Sequence, residues 1–358
     1  MSATRFLRRL PTLVQLYRHQ EITKFKEAFS YKIPRIHAIL GPPNTGKTTL
    51  IHNVVNNGDF YPLIIDCHNG SFDTPANLYC SLITQFRQFF KKNPKLNKDH
   101  NLLNSNNFEI TAKDVIELLQ KINKTLLEYS SWDTFESPPI LIFNEAHLFK
   151  KLAQSKEGET LLTSFLNWLI TKILHTPSYV TPYIVGDLSK SEAELYFENE
   201  VLRKHETEVR CELEGQFDHV YRITGTRMLT IDHYVDEYKV HKGKFENFSE
   251  YKQEFDWLMN GLYPEELRLL GKPDPLWNKN KFIDAMRAVG RSPGYILEND
   301  LIKSIGYEAV SSLIEYNFLF RRSTNNFAYD IINPPEDKVI LTAMSKPSEY
   351  AMRFFRNL

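Results

Sequence analysis

The residues whose types and spacing could do the most chemistry run Gly41-Pro42-Pro43-Asn44-Thr45-Gly46-Lys47-Thr48-Thr49. They satisfy the pattern G-x-x-x-x-G-K-[ST], a loop that wraps its backbone around a polyphosphate. The glycines permit close wrapping, so that main-chain N–H groups point inward at phosphate oxygens. In such a loop the Lys47 ammonium reaches the β- and γ-phosphates, and the Thr48 hydroxyl binds Mg²⁺. A helix opening at the loop adds its positive dipole end. All nine residues are candidate binding residues, and Lys47 is also a candidate catalytic one. The expected ligand is a nucleoside triphosphate, ATP in first place, with Mg²⁺.

A loop of this kind needs a strand to deliver it and a helix to receive it. Arg35-Ile36-His37-Ala38-Ile39-Leu40 ends as an apolar strand before the loop, and Leu50-Ile51-His52-Asn53-Val54-Val55 follows with a helix-compatible pattern. A second chemical signal is Ile140-Leu141-Ile142-Phe143-Asn144-Glu145-Ala146-His147, an apolar strand ending in Asn-Glu. In nucleoside triphosphatases such a strand carries an acid that orients the Mg²⁺ shell, then often a Glu that activates water. Glu145 is the candidate general base. Asn144 stands where an Asp is expected. Its amide accepts a hydrogen bond from a metal-bound water but brings no negative charge. Disturbing such outer partners costs about 10- to 100-fold in affinity or activity, so weak or conditional hydrolysis is one expectation.

The elements that must position these residues read as alternating strands and helices. Strands are expected at Ile36–Leu40, Tyr61–Asp66, Ile140–Asn144, Tyr183–Gly186 and Val220–Thr224. Helical stripes fall between them: Leu78, Leu82, Ile83, Phe86, Phe89 and Phe90, then Val115 to Leu127, then Leu161 to Ile170. The alternation predicts an α/β three-layer sandwich with a central parallel sheet of about five strands. Two polar breaks, Lys91 to Asn107 and Ser130 to Pro139, read as a surface insertion and a turn-rich approach.

The alternation stops near Tyr238, and the domain boundary is placed at 240, giving an ATPase domain over 13–240 and a C-terminal region over 241–358. The tail reads as a helix from Glu308 to Tyr316, a strand Phe318 to Arg322, a turn Ser323 to Asn326 and a second strand Phe327 to Ile332. That order outlines a small winged-helix module. Arg321 and Arg322, with Phe318 and Phe320, form its basic-aromatic cluster.

Lys plus Arg and Asp plus Glu number 44 each, so the formal net charge is zero and wholesale coating of nucleic acid is not implied. Cys67, Cys80 and Cys211 are few, odd in number and widely spaced, which suits a reducing compartment rather than a disulfide framework or metal-ligand pair. No apolar run approaches a membrane span. Residues 1–12 form a basic segment with Arg5, Arg8 and Arg9. It reads as an exposed first helix of a cytoplasmic protein, or as an amphipathic targeting segment for the mitochondrial matrix.

With both motifs in place, the chain resembles the AAA+-related P-loop ATPases, nearest the archaeal-ATPase-like branch that neighbours the STAND nucleotide switches. The resemblance spans roughly residues 14 to 335. It implies that Tyr17-Arg18-His19-Gln20-Glu21-Ile22 lies beside the adenine, with Arg18 as a nucleotide contact or else a surface charge. It implies a sensor strand in Tyr183-Ile184-Val185-Gly186-Asp187, with Asp187 watching the γ-phosphate or else capping the next helix alongside Ser189 and Glu192. Gly290-Arg291-Ser292-Pro293-Gly294-Tyr295 resembles the Gly-x-Pro turn that closes the nucleotide site, with Pro293 as the contact, or is a plain turn between helices. Arg203, Arg210 and Arg222 lie where such proteins carry an arginine finger.

Three readings follow from the sequence. One is an ATPase that couples nucleotide state to a C-terminal interaction module, with a protein partner or self-association through that region. Another is a nucleotide-binding switch or scaffold with little or no turnover, which Asn144 favours. The last is a winged-helix nucleic-acid adaptor, disfavoured by neutral charge.

Overall fold

The structure, a computed structural model, describes residues 17–30, 36–58, 60–67, 72–92, 110–128, 139–168, 180–267, 273–323 and 329–357. The basic segment 1–12, most of the Lys91 to Asn107 insertion and residues 130–138 lie outside these.

In chain order the principal elements are α1 (His19–Phe29), β1 (Ile36–Leu40), α2 (Lys47–Asn56), β2 (Tyr61–Asp66), α3 (Pro75–Lys92), α4 (Ala112–Glu128), β3 (Pro139–Asn144), α5 (Lys156–Trp168) and β4 (Val180–Ile184). There follow α6 (Lys190–Tyr196), α7 (Thr207–Leu213), α8 (Phe217–Thr224), α9 (Met228–Asp236), α10 (Tyr238–His241), α11 (Ser249–Gly261) and α12 (Lys279–Arg291). The chain finishes with β5 (Ile296–Leu297), α13 (Glu298–Ile305), α14 (Tyr307–Glu315), β6 (Phe320–Ser323), β7 (Val339–Thr342) and α15 (Lys346–Met352). No helix among the described residues is long and apolar enough to cross a membrane.

Compactness divides the chain into two units. One holds Gln20–His37 and Thr48–Thr181, the other Met1–His19, Ala38–Lys47 and Pro182–Leu358.

The Thr48–Thr181 stretch is built around the parallel pair β2–β3, in register from Tyr61↔Pro139 to Asp66↔Asn144. A parallel pair needs a long crossover, and α3 and α4 supply it. Leu78, Leu82, Ile83, Phe86 and Phe89 of α3 are buried, as are Val115, Leu118, Leu119 and Ile122 of α4. Spacings of three and four residues put each set on one helix face. Leu63 and Ile65 of β2 alternate into the same core, which Leu161, Phe165 and Trp168 of α5 also enter. A fully buried side chain such as Phe86, at 0% exposure, contributes about 1.5–3 kcal/mol.

Cys67 directly follows β2, and its N–H donates to the Asn144 carbonyl at 3.1 Å. Burial foremost, with the Asp66 and Glu145 carboxylates adding to it, pushes its thiol pKa up to about 12. Cys80 and Cys211 are exposed. The thiolate is the reactive form. At pH 8 a thiol-exchange reagent is therefore expected to titrate Cys80 and Cys211 rapidly in the native protein and Cys67 only after denaturation. Fast labelling of Cys67 in the native state would contradict this.

In the other unit β1 pairs with β4, and the Val185 N–H extends the pairing to the Leu40 carbonyl at 2.8 Å. A helical cluster follows, with a core of Tyr196, Phe197, Val201, Phe217, Ile231, Tyr234 and Phe248. The expected fifth strand, Val220–Thr224, is not a strand: it forms the last turns of α8. Its β-branched composition favours a strand locally. Phe217, Val220, Ile223 and Thr224 are nonetheless the buried positions, a three-to-four-residue period that fits a helix face. The described strands of the α/β part thus form two pairs, β1–β4 and β2–β3, rather than a five-stranded sheet.

The C-terminal residues form a three-stranded antiparallel sheet, ordered β5-β7-β6. Helix α14 and strand β6 match the expected helix and first strand, with offsets of one or two residues. The second strand expected at Phe327 to Ile332 is a correction. Phe327 lies outside the described residues, Tyr329 to Asn333 are turn and bend, and the strand pairing with β6 is β7. Left-handed Asn333 (φ 49°) and Asp337 (φ 52°), flanking Pro334-Pro335, delay it. Behind the sheet, Trp257 stacks on Phe318 with centroids 5.0 Å apart, and Trp277 Nε1–H donates to the Gly261 carbonyl at 3.0 Å.

Candidate nucleotide site

The loop is a left-handed turn closed by its own side chains. Asn44 (φ 63°) and Gly46 (φ 80°) take the conformation that favours Asn and Gly. The Thr45 hydroxyl donates to the Pro42 carbonyl at 3.1 Å. Lys47 Nζ folds back over the loop and donates to the carbonyls of Gly41 at 2.9 Å and Pro42 at 2.7 Å. A Cβ on Gly41 would stand 2.3 Å from the Val185 carbonyl oxygen, so the loop leaves the strand where no side chain fits. At Gly46 an added Cβ would meet nothing within 4 Å.

Arg18 braces this loop from outside. It is 2% exposed, and its Nη2 donates to the Thr45 carbonyl at 3.0 Å and the Gly186 carbonyl at 2.9 Å. It is therefore not a surface charge. The guanidinium ties the loop backbone to the residue two beyond β4. Tyr17 beside it packs edge-on against Tyr196, centroids 5.6 Å apart.

Gly186 has a second neighbour. A Cβ there would lie 2.3 Å from Asp330 Oδ1 and 3.1 Å from Arg322 Nη2. These two side chains form a bidentate pair at 2.7 and 3.0 Å, with Arg322 4% exposed. Arg321 bonds Glu298 at 2.6 Å, and Phe318 is 1% exposed in the core. The basic-aromatic cluster read from the sequence is thus dispersed among carboxylates and core.

Asp187 turns to Arg227. Arg227 Nε and Nη2 donate to its two oxygens at 2.9 and 3.1 Å, and Nη2 also donates to the Met344 carbonyl at 2.9 Å. Burial acts to lower the Arg227 pKa, but the Asp187 charge and hydrogen bonds outweigh it and the group is held charged. Helix α6 is capped instead by Ser189 in a complete capping box with Glu192.

Pro293 sits in the turn after α12, where the Ser292 hydroxyl donates to Val289 and left-handed Gly294 (φ 112°) follows. The Arg356 guanidinium grips the Gly290 carbonyl there, and Tyr295 donates to Asn333 at 3.1 Å. Arg203 and Arg210 line a polar cleft with Glu198, Asn199 and Glu214.

The acidic motif lies in the unit that holds β2 and β3. The Thr48 hydroxyl, in the first turn of α2, donates to Asn144 Oδ1 at 3.0 Å. The Asn144 amide nitrogen donates to Asp66 Oδ1 at 3.4 Å. Glu145, just past β3, is left-handed (φ 56°, ψ 39°) and stands at the N-cap position of the 3₁₀ helix Ala146–Gln154 without a side-chain capping bond. A non-glycine residue there costs about 1–2 kcal/mol, and such backbone often marks functional positions. The hydroxyl, amide oxygen and carboxylate are oxygen donors of the kind Mg²⁺ accepts. No cluster of three or more His, Cys, Asp or Glu among the described residues competes for a softer metal.

Sequence reasoning passed over Asp66 and Arg227. Asp66 carried a usable signal, since β2 ends in an acid as β3 ends in Asn-Glu. Arg227 carried none, because its partners lie 40 and 117 residues away.

A glycine-bounded loop between a strand and a helix, with a parallel strand pair ending in polar residues, is a P-loop arrangement within an α/β fold. The chain is similar to a solved Walker-type ATPase of Pyrococcus abyssi, at 14% identity over 94% of this chain and 95% of that one, with a TM-score of 0.52. At that identity the likeness concerns the fold. The ORC2 protein of Aeropyrum pernix, solved in ADPNP-ADP complexes, matches at 10% identity over 95% of each chain, but its TM-score of 0.29 carries no weight. No protein-family model and no curated protein matches the chain.

Proposed function

We propose that this chain binds Mg²⁺–ATP through Gly41 to Thr49 and hydrolyses it, as an AAA+-related ATPase of the archaeal or STAND-like kind. One observation carries the reading. The Lys47 ammonium folds back over its own loop and donates to the Gly41 and Pro42 carbonyls at 2.9 and 2.7 Å, which sets its charge where the motif places a polyphosphate. An entering triphosphate offers it stronger, charged acceptors. Thr48 and Asn144 would hold Mg²⁺, which supplies charge neutralisation on the phosphate oxygens.

In this reading Lys47 orients the β- and γ-phosphates. Glu145 orients the attacking water and takes its proton as the water oxygen bonds to the γ-phosphorus. The β–γ bridging bond breaks, and ADP and phosphate leave. Residues 13–240 act as the ATPase part and 241–358 as the responding part, with the helix-helix-strand-strand tail as a winged-helix module for a protein partner or a second copy. Supporting that division of labour, Arg322 and Asp330 of the tail lie against Gly186, which Arg18 also holds.

Calorimetric titration with Mg²⁺–ATP tests the reading. Lys47→Ala removes charged hydrogen bonds worth about 1.5–3 kcal/mol each, so affinity should fall roughly 100-fold. Equal heats from parent and variant would sink it.

A switch without turnover is the second reading, favoured by Asn144 in place of a carboxylate. Tight nucleotide binding with no phosphate release would select it.

A further inference from the structure

The strand that should end in an acid ends in an amide, and the missing charge stands one strand over. The β2–β3 register sets Asp66 level with Asn144 at the carboxyl ends of both strands, the side of a parallel sheet where ligands bind. The Asn144 amide is engaged on both sides. Its oxygen accepts from the Thr48 hydroxyl at 3.0 Å, and its nitrogen donates to Asp66 Oδ1 at 3.4 Å.

These bonds fix the amide's orientation. A carboxylate only accepts, so the nitrogen must face Asp66 and the oxygen must face Thr48. The Thr48 proton is then spent on Asn144, and the hydroxyl lone pairs remain for a cation. The backbone of residue 66 is itself held in place. Gln85 of α3 accepts from the Asp66 N–H at 2.7 Å and donates to its carbonyl at 3.4 Å. Gln85 is in turn bonded to the Ser81 hydroxyl at 2.7 Å.

We infer that Asp66 is the acidic member of the Mg²⁺-holding set, a positioning residue that acts through the Asn144 amide and restores the charge Asn144 lacks. The inference rests on the reading of Thr48 and Asn144 as part of a Mg²⁺–ATP site. It also explains how a neutral residue at position 144 is compatible with a functional metal shell.

The test compares ATP affinity by calorimetry with Mg²⁺ and with EDTA, and adds Mn²⁺ binding to the ADP complex read by electron paramagnetic resonance. Asp66→Asn should cut the gain in affinity due to Mg²⁺, and the Mn²⁺ affinity, by about 10- to 100-fold. Affinity in EDTA should not change. The double variant Asp66→Asn with Asn144→Asp returns the charge to β3 and should recover the Mg²⁺ gain. Three results would overturn the inference: an unchanged Mg²⁺ gain in Asp66→Asn, an equal loss in EDTA, or no recovery in the double variant. A parent protein that binds ATP in neither condition overturns the loop reading, and this inference with it.

Discussion

Glu145→Gln is expected to slow phosphate release from ATP by about 10²- to 10⁴-fold, the usual contribution of a positioned general base. Nucleotide affinity should stay within a few-fold of the parent. The substitution is close to isosteric and removes only the capacity to accept a proton. The Glu145 side chain makes no cap hydrogen bond to the 3₁₀ helix it precedes, and its left-handed backbone is as accessible to Gln as to Glu. Single-turnover phosphate release, with binding measured alongside, separates the two effects. Equal release from variant and parent would show that Glu145 does not handle the proton. No release from either would favour the switch reading.

Arg227→Leu is expected to destabilise the protein by about 3–5 kcal/mol, the cost of breaking a buried ion pair from one side. The Arg227 and Asp187 side chains are 10% and 16% exposed. Truncation leaves a carboxylate and the Met344 carbonyl without the donors that now serve them. The cost should fall sharply in the double variant Asp187→Asn with Arg227→Leu, because the uncompensated charge goes with its partner. Urea unfolding of the parent, the two single variants and the double variant closes the cycle. Additive losses would show that the pair does not act as a unit. In this structure both Asp187 carboxylate oxygens are engaged by Arg227.

Much of this was legible in the residues. The loop at 41–49, the strands β1 to β3 and the helices α3 to α5 announce themselves through glycine placement and apolar period. These features are decided within a few residues of themselves. Val220 to Thr224 misled because strand propensity is a weak preference, overridden by which positions the surrounding helices bury. The late strand β7 was missed because pairing with β6 is settled by a partner beyond a polar turn, not by local composition. The roles of Arg18, Asp187 and Asp66 depend on partners 168, 40 and 78 residues away. The sequence marks these residues as polar but does not name what they hold.

The crowding at Gly186 has a mechanical consequence. One peptide is gripped on its carbonyl by Arg18, which also grips Thr45, while its bare α-carbon abuts the Arg322–Asp330 pair. A shift of the Thr45 peptide crosses one guanidinium and one peptide plane before it meets a carboxylate of the tail. The joint is short, like a pushrod, and any side chain at 186 would have to displace the Arg322–Asp330 pair to fit.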